Sequence, residues 1–344
     1  MKKKTYNKGG IDLIKKYINN PDDVVEEMLE GFIKANDKKV KKTSERVLAR
    51  KDAPVKDKVG IVSGGGSGHK PAFIGYLGEG LLDSVAVGDI FASPGVDAIL
   101  KAIKAADSGK GVLCCIGNYS GDTMNFDMAK EMAEAEGIDV EIVIINDDVA
   151  SAPKNDIEDR RGVAGEIIVW KVAGAMAEKG LDLKSIKSKT EEILFNTRSM
   201  GVAHEPCVLP NTGEESFEIG EEEMEIGVGH HGEPGIERTK MKQADEVTKI
   251  MTEEILKDLP FTEGDEVVAL INGLGSTSLL EMYICNRKMR DILESKGIKV
   301  YKTYTGEYFT SQEMAGFSIT LTKADADTKE FMDYPCDGVH FIQR

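Results

Sequence analysis

The fold class is indicated by one stretch of sequence, Lys58-Val59-Gly60-Ile61-Val62-Ser63-Gly64-Gly65-Gly66-Ser67-Gly68-His69-Lys70-Pro71. An apolar run leads into four glycines within five positions, and a proline then marks the start of a predicted helix. Glycine lets the backbone approach a ligand, and a helix N-terminus attracts oxyanions. The spacing matches neither a dinucleotide fingerprint nor a P-loop, so a tight structural connection remains the alternative. His69 favours a ligand loop, because open α/β sheets bind ligands at the carboxyl ends of their strands.

Apolar runs and amphipathic stretches alternate on both sides of this loop, a pattern typical of a parallel sheet flanked by helices. The runs that predict strands are residues 58–63, 84–89, 111–118 and 139–146. The stretches that predict helices are 95–106, 123–136, 162–179 and 183–197, with a capped helix from Asn20 to about Asn36. The first half is therefore predicted to be an open, mostly parallel sheet with flanking helices.

The pattern changes near Asn196. Extended segments are predicted at 201–209 and 217–229, and strands at 266–272, 299–304 and 317–322. Helices are predicted at 244–259 and 277–296, followed by a short ending. We therefore predict an α/β protein of two domains, residues 1–195 and a smaller mixed α/β domain at 196–344.

Composition restricts the function. The 344 residues carry 44 Lys and Arg against 60 Asp and Glu, a formal charge of −16, so a nucleic acid partner is not expected. The basic patch Lys38–Lys42 is interpreted as a solvated helix end. No apolar stretch reaches the ~20 residues of a membrane span, and Met1-Lys2-Lys3-Lys4 lacks the apolar core of a secretory signal. Five cysteines without Cys-x-x-Cys spacing fit a reducing compartment, so a cytoplasmic location is expected.

Two further clusters supply side chains that could carry chemistry. The third predicted strand ends in Gly117-Asn118-Tyr119-Ser120-Gly121-Asp122, so Asp122 would reach the same edge of the sheet as His69, unless it only caps the next helix. The second domain contributes Gly227-Val228-Gly229-His230-His231-Gly232-Glu233-Pro234-Gly235. Adjacent histidines on a strand point to opposite faces, which disfavours a metal site. An uncharged imidazole there could act as a nucleophile.

These clusters, in this order, resemble the substrate-binding subunit of the dihydroxyacetone kinase family. The resemblance spans nearly the whole chain. It also includes the motifs Gly78–Gly80, Gly88–Pro94, Asn146–Asp148, Arg161–Gly165, Met224-Glu225 and Glu313–Gly316. So many motifs in one order make accidental similarity implausible.

The resemblance implies a role for each matching residue. In that family a histidine binds the carbonyl carbon of a short ketose as a covalent hemiaminal, and the matching residue is His231, because it directly precedes Gly-Glu-Pro-Gly. The acid–base pair at the terminal hydroxyl would be Asp122 and His69. The residues expected to line the substrate are Gly66, Ser67, Gly68, Lys70 and Gly117.

Two of these positions depart from the better-known members. Lys70 stands where glutamate is common, and Gly117 stands where a substrate-contacting lysine is common. Either the cation has moved from one loop to the other, or the pocket has changed and is enlarged at Gly117. A changed pocket would suit a longer ketose or a ligand sensor.

The resemblance also implies partners. It implies no cofactor and no metal in this chain, with ATP or ADP and Mg held by a separate DhaL-like nucleotide-binding subunit. A phosphocarrier subunit of the phosphotransferase system and a homodimer are further expectations. The alternatives are a kinase subunit for a C4 ketose such as erythrulose, and a catalytically silent dihydroxyacetone sensor that co-activates a transcription regulator.

Overall fold

The computed structural model describes residues 15–344, which form two six-stranded sheets and a small third sheet. The lysine-rich start of the chain lies outside the described residues. The strands of the first half are β1 (Val40–Ser44), β2 (Val47–Arg50), β3 (Gly60–Gly65), β4 (Gly78–Glu79), β5 (Ser84–Val87), β6 (Val112–Gly117) and β7 (Val140–Ile145). Its helices are α1 (Val24–Ala35), α2 (Val96–Ala106), α3 (Ser120–Ala135), α4 (Glu166–Glu178) and α5 (Leu183–Phe195).

The first sheet has the order β1-β2-β5-β3-β6-β7. Its strands β5, β3, β6 and β7 run parallel, while β1 and β2 add an antiparallel edge. Every residue of β3 and β6 is buried, as expected for strands covered by helices on both faces. The vicinal pair Cys114 and Cys115 lies inside β6. The open, mostly parallel sheet predicted from the sequence is confirmed.

The second half forms a mixed sheet. Its strands are β8 (Thr197–Glu205), β9 (Glu223–Ile226), β10 (Glu237–Lys240), β11 (Glu266–Gly273), β12 (Lys299–Gly306) and β13 (Ala315–Lys323), and its helices are α6 (Ala244–Asp258), α7 (Leu279–Ser295) and α8 (Ala326–Asp333). The order is β10-β9-β8-β13-β11-β12, with β11 and β12 parallel and the other neighbours antiparallel. This confirms a second, mixed α/β unit.

The end of the chain returns to the first half. Strands β14 (Cys336–Gly338) and β15 (Ile342–Gln343) form the third sheet with β4. Phe331 of α8 and Phe341 belong to the same hydrophobic core as Trp170 of α4. The sequence pattern predicts only a short ending here, so α8, β14 and β15 were not expected. The boundary between residues 195 and 196 stays a prediction, although β8 begins close to it, at Thr197.

Two local predictions are wrong. The patch Lys38–Lys42 is not a helix end, because Val40 is buried and begins the edge strand β1. Nor does an α-helix follow Pro71, since residues 71–82 form turns, one short 3₁₀ helix, the strand β4 and a bridge instead. Gly78 and Gly80 adopt φ of 154° and 72° there, a backbone that cannot continue a helix. The glycine loop is therefore not a helix N-terminus, and its predicted attraction for oxyanions through a helix dipole is lost.

Among residues 15–344, no helix is both long and apolar enough to cross a bilayer.

Candidate active site

A small cleft lies where the carboxyl ends of β3 and β6 meet the turn that follows β9. It brings together the three candidate catalytic residues, His69, Asp122 and His231. The other residues that line it are Gly64, Gly65, Gly66, Phe73, Gly117, Tyr119, Glu166, His230 and Phe309. The edge of the first sheet is thus closed by side chains and turns from the second half of the chain.

His69 is held in the cleft by the segment between β12 and β13. The amide of Gln312 donates to the carbonyl of Gly68 at 2.8 Å, and the amide of Thr310 donates to the carbonyl of His69 at 3.3 Å. The Nδ1 atom of His69 lies 2.8 Å from the carbonyl oxygen of Thr310. Because a carbonyl only accepts, Nδ1 carries the hydrogen and the neutral ring has its lone pair on Nε2.

The loop glycines are explained mainly by close packing. A Cβ at Gly65 would lie 2.3 Å from the Phe73 ring, and one at Gly68 would lie 2.1 Å from the Phe91 ring. Both distances are far below van der Waals contact. Phe91 itself packs on His69, with ring centroids 5.1 Å apart. The glycines therefore allow aromatic side chains to hold the loop, in addition to opening it toward a ligand.

His231 is oriented by a carboxylate. Its Nδ1 lies 2.9 Å from Oε1 of Glu233, and its backbone amide donates to Oε2 of Glu233 at 2.9 Å. Burial acts to raise the pKa of Glu233, but the hydrogen bond and charge of His231 outweigh it and lower that pKa to about 2. The turn is held further by Arg161, which donates to Asp148 and, at 3.1 Å, to the carbonyl of Gly227.

The two catalytic candidates His69 and His231 touch directly, with 3.0 Å between their Nε2 atoms. Both Nδ1 atoms carry hydrogens that are already donated, to Thr310 and to Glu233. A contact at this distance is a hydrogen bond if one of the two Nε2 atoms carries a hydrogen. Burial, followed by the charges of His231 and His230, lowers the pKa of His69 well below its usual value. This shift favours the neutral ring of His69, with its Nε2 lone pair facing His231.

Asp122 lies in the first turn of α3, which begins at Ser120 rather than at the predicted Thr123. The N-cap residue is Tyr119, and no side chain caps the helix, so the interpretation of Asp122 as a helix cap is wrong. Burial raises the pKa of Asp122 to about 6, against the opposing effects of Ser93 and His231. A carboxylate with this pKa is mostly ionised at neutral pH and can accept a proton.

His230 is buried beside Phe309, with ring centroids 4.5 Å apart. Burial and then the charge of His231 lower its pKa to about 3, which keeps the ring neutral. Unlike His231, it has no hydrogen-bond partner on either ring nitrogen among the described residues. Both histidines line the cleft, but only His231 has a side-chain partner there that fixes its orientation.

Three of the residues predicted to line the substrate face elsewhere. Ser67, Gly68 and Lys70 line a neighbouring cavity beside α1, on the other side of the glycine loop from the cleft. The Lys70 ammonium donates to the carbonyl of Ala72 at 3.2 Å, and burial lowers its pKa to about 7. The geometry therefore gives no support to a cation that has moved into the cleft from position 117.

Position 117 has changed in another way. A Cβ at Gly117 would lie 2.6 Å from Oε1 of Glu166, the first residue of α4. The space beside Gly117 is filled by this carboxyl group, so the hypothesis of a pocket simply enlarged at Gly117 is wrong.

Several residues that line the cleft were not expected there from the sequence, namely Phe73, Tyr119, Glu166 and Phe309. One signal was present for Glu166, which directly follows the motif Arg161–Gly165 and opens an otherwise apolar helix. Phe309 lies in a segment without regular periodicity. It is positioned by Asn272, whose side chain accepts from the amide of Phe309 at 2.8 Å and donates to its carbonyl at 2.8 Å.

Several buried polar atoms in this cleft have no hydrogen-bond partner among residues 15–344. They are the hydroxyl of Tyr119, Oδ1 of Asp122, Oε2 of Glu166 and both ring nitrogens of His230. Buried polar groups are normally paired, so their clustering around one cleft is typical of a site for a small polar ligand. No group of three metal-ligating side chains is found in the part of the chain that the structure describes.

Comparison with known proteins agrees with this geometry. The Dak1 domain model matches residues 30–340. The dihydroxyacetone-binding subunit DhaK of PTS-dependent dihydroxyacetone kinase 2 from Listeria innocua is 45% identical, over 95% of this chain and 99% of that protein. L-erythrulose kinase from Pectobacterium atrosepticum is 38% identical over 94% of this chain, which spans 55% of that kinase.

A solved structure extends the comparison. A dihydroxyacetone kinase operon co-activator matches with a TM-score of 0.87 and 32% identity, covering 92% of this chain and 98% of the co-activator. The chain therefore belongs to the Dak1 domain family, the family of the substrate-binding subunit of dihydroxyacetone kinase.

Proposed function

We propose that this chain is the dihydroxyacetone-binding subunit of a dihydroxyacetone kinase that depends on the phosphotransferase system. It binds the ketose covalently at His231 and presents a terminal hydroxyl for phosphorylation by nucleotide on a separate, DhaL-like subunit. The observation that carries this proposal is the direct contact of His69 with His231 inside a cleft that also contains Asp122. The full-length match to a PTS-dependent DhaK subunit supports the choice of ketose and of phosphoryl source.

Capture of the ketose begins with the proton between the two histidines. When it moves fully to Nε2 of His69, the Nε2 lone pair of His231 becomes free to attack the carbonyl carbon. The new N–C bond forms as the C=O π electrons move to oxygen. His69, made strongly acidic by burial, passes its proton to that oxygen.

Glu233 supports the same step. The adduct leaves a positive charge on the alkylated imidazole of His231, whose Nδ1–H stays on the ionised carboxylate of Glu233. This pairing favours the charged adduct over the free ketone. Covalent attachment also fixes a small, mobile molecule that offers little surface for ordinary binding.

Phosphoryl transfer then needs a proton acceptor for the terminal hydroxyl. Asp122 is mostly ionised at neutral pH, and His69 is neutral again once the adduct has formed. As the hydroxyl oxygen bonds to phosphorus and the nucleotide leaves, the hydroxyl proton passes to Asp122. The positions of both residues in one cleft support their roles as the acid–base pair.

The experiment that tests the proposal is reconstitution. The chain is mixed with its nucleotide-binding partner, the phosphotransferase phosphocarrier proteins and phosphoenolpyruvate, and the ketose phosphate formed from dihydroxyacetone is measured. We expect turnover only with all components. Turnover with ATP alone would contradict the phosphotransferase dependence, and adduct formation without turnover under any condition would favour the sensor alternative.

A panel of ketoses tests the substrate in the same assay. We expect kcat/KM to be higher for dihydroxyacetone than for D- or L-erythrulose. The opposite order would favour the C4 kinase.

A further inference from the structure

Glu166 is a buried carboxyl group in the cleft that the mechanism above does not use. It is 2% exposed, lines the cleft, and begins the 13-residue helix α4. Its Oε2 has no hydrogen-bond partner among the described residues. An unpartnered buried oxygen in a ligand cleft is a group that a bound molecule can satisfy.

The position of Glu166 depends on Gly117. A Cβ at residue 117 would lie 2.6 Å from Oε1 of Glu166, so any side chain there would displace the carboxyl group. Gly117 is not among the glycines with positive φ, and alanine could adopt its backbone conformation. The missing side chain at residue 117 therefore leaves room for the carboxyl group of Glu166. The backbone conformation alone does not require a glycine there.

The surroundings of Glu166 favour the neutral form of its carboxyl group. Burial raises its pKa well above the usual value, and the negative charges of Asp147 and Asp122 add to this effect. A neutral carboxylic acid both donates and accepts a hydrogen bond, which is the pairing that an alcohol hydroxyl needs. Two ionised carboxylates in one small cleft would instead repel each other.

We propose that Glu166 is a substrate-binding residue whose carboxyl group, held in the space beside Gly117, exchanges hydrogen bonds with a hydroxyl group of the bound ketose. This inference rests on the proposed function, because it assumes that a short hydroxylated ketone occupies the cleft. It assigns to Glu166 a share in recognising the polyol, separate from the covalent bond at His231.

The test is the dissociation constant for dihydroxyacetone, measured by titration calorimetry on the full chain. Glu166→Gln keeps the size, the neutral charge and both hydrogen-bonding functions, so its affinity should stay close to that of the unaltered chain. Glu166→Leu keeps the approximate size but removes both functions, and its affinity should fall about tenfold. A role confined to packing predicts no such difference between the two variants.

Gly117→Ala provides an independent variant, because the new methyl group displaces the Glu166 carboxyl without changing residue 166. We expect it to weaken binding about as much as Glu166→Leu does. Thermal denaturation shows whether Glu166→Leu folds. If it does not, Gly117→Ala serves as the test in its place. Unchanged affinity in a folded Glu166→Leu or in Gly117→Ala would overturn the inference. Failure of the unaltered chain to bind dihydroxyacetone would instead refute the proposed function.

Discussion

The Nε2 atoms of His69 and His231 lie 3.0 Å apart, within hydrogen-bonding distance. Because both Nδ1 atoms are already donors, a hydrogen between the two Nε2 atoms would be one proton more than two neutral imidazoles carry. In the proposed mechanism, that proton masks the nucleophilic lone pair of His231 until His69 accepts it. The proposal thus links ketose capture to the protonation of a residue on another loop.

Replacing His69 by Asn should slow adduct formation while leaving its site unchanged. Asparagine cannot protonate the developing alkoxide, so the rate of adduct formation should fall about 10²-fold or more. Rapid mixing of the chain with dihydroxyacetone, followed by acid quench and mass analysis, measures this rate. A rate equal to that of the unaltered chain would remove His69 from the capture step.

Asp122→Asn should lower turnover about 10²- to 10⁴-fold without preventing the adduct at His231, because the amide is nearly isosteric but cannot accept the hydroxyl proton. The phosphorylation assay and mass analysis of the adduct separate the two effects. Near-normal turnover would exclude Asp122 as the base.

The pH dependence of turnover tests the same residue. The pKa of Asp122 is raised to about 6, so kcat should decline as pH falls through about 6, where the carboxylate becomes protonated. This acidic limb should be absent from the residual activity of Asp122→Asn. An identical limb in both proteins would assign it to another group.

Much of the architecture could be predicted because it follows from local pattern. The four apolar runs became β3, β5, β6 and β7, since buried parallel strands have near-continuous apolar sequences. The helix predicted at 277–296 became α7, which starts at a capping box formed by Ser278 and Glu281. The lysine-rich β1 was missed because a charged edge strand resembles a helix end in composition.

The site was only partly predictable for a different reason. Sequence motifs identified His69, Asp122 and His231 as candidate catalytic residues, and the structure places all three in one cleft. Glu166 and Thr310 contact partners on segments that are distant in sequence. Such contacts produce no local pattern from which they could be predicted. Lys70 shows the converse case. It is adjacent to His69 in sequence but lines a different cavity, because successive residues of a turn point in different directions.

Lys70→Ala separates two accounts of that lysine. If its ammonium served the ketose, turnover would fall severely. Since it lines the neighbouring cavity and bonds to the carbonyl of Ala72, we expect turnover on dihydroxyacetone within about threefold of normal. Exposed Lys101→Ala is the matched control. A severe loss of turnover in Lys70→Ala, but not in Lys101→Ala, would show that Lys70 contributes to substrate binding.

Glu166→Gln should stabilise the chain increasingly as pH rises. In the unfolded chain Glu166 ionises near its ordinary pKa of about 4.3, while in the folded chain burial and the charges of Asp147 and Asp122, with Cys115 also nearby, raise its pKa well above that value. The folded state then binds more protons, so wild-type stability falls as pH rises above the unfolded value, by up to ~1.4 kcal/mol per pH unit. Glutamine avoids this loss.

Denaturant unfolding of both proteins at pH 5, 6.5 and 8 measures that effect. The advantage of Glu166→Gln should be smallest at pH 5 and largest at pH 8. An advantage that does not change with pH would mean that Glu166 is ionised in the folded chain.

The covalent bond proposed at His231 can be observed in a ¹³C NMR spectrum of the chain with dihydroxyacetone labelled at C2. We predict that the carbonyl signal is replaced by that of a tetrahedral carbon bonded to nitrogen. The new signal should persist in His230→Ala and disappear in His231→Ala. A spectrum that keeps only the free ketone and its hydrate, or an adduct lost in His230→Ala and retained in His231→Ala, would contradict the account.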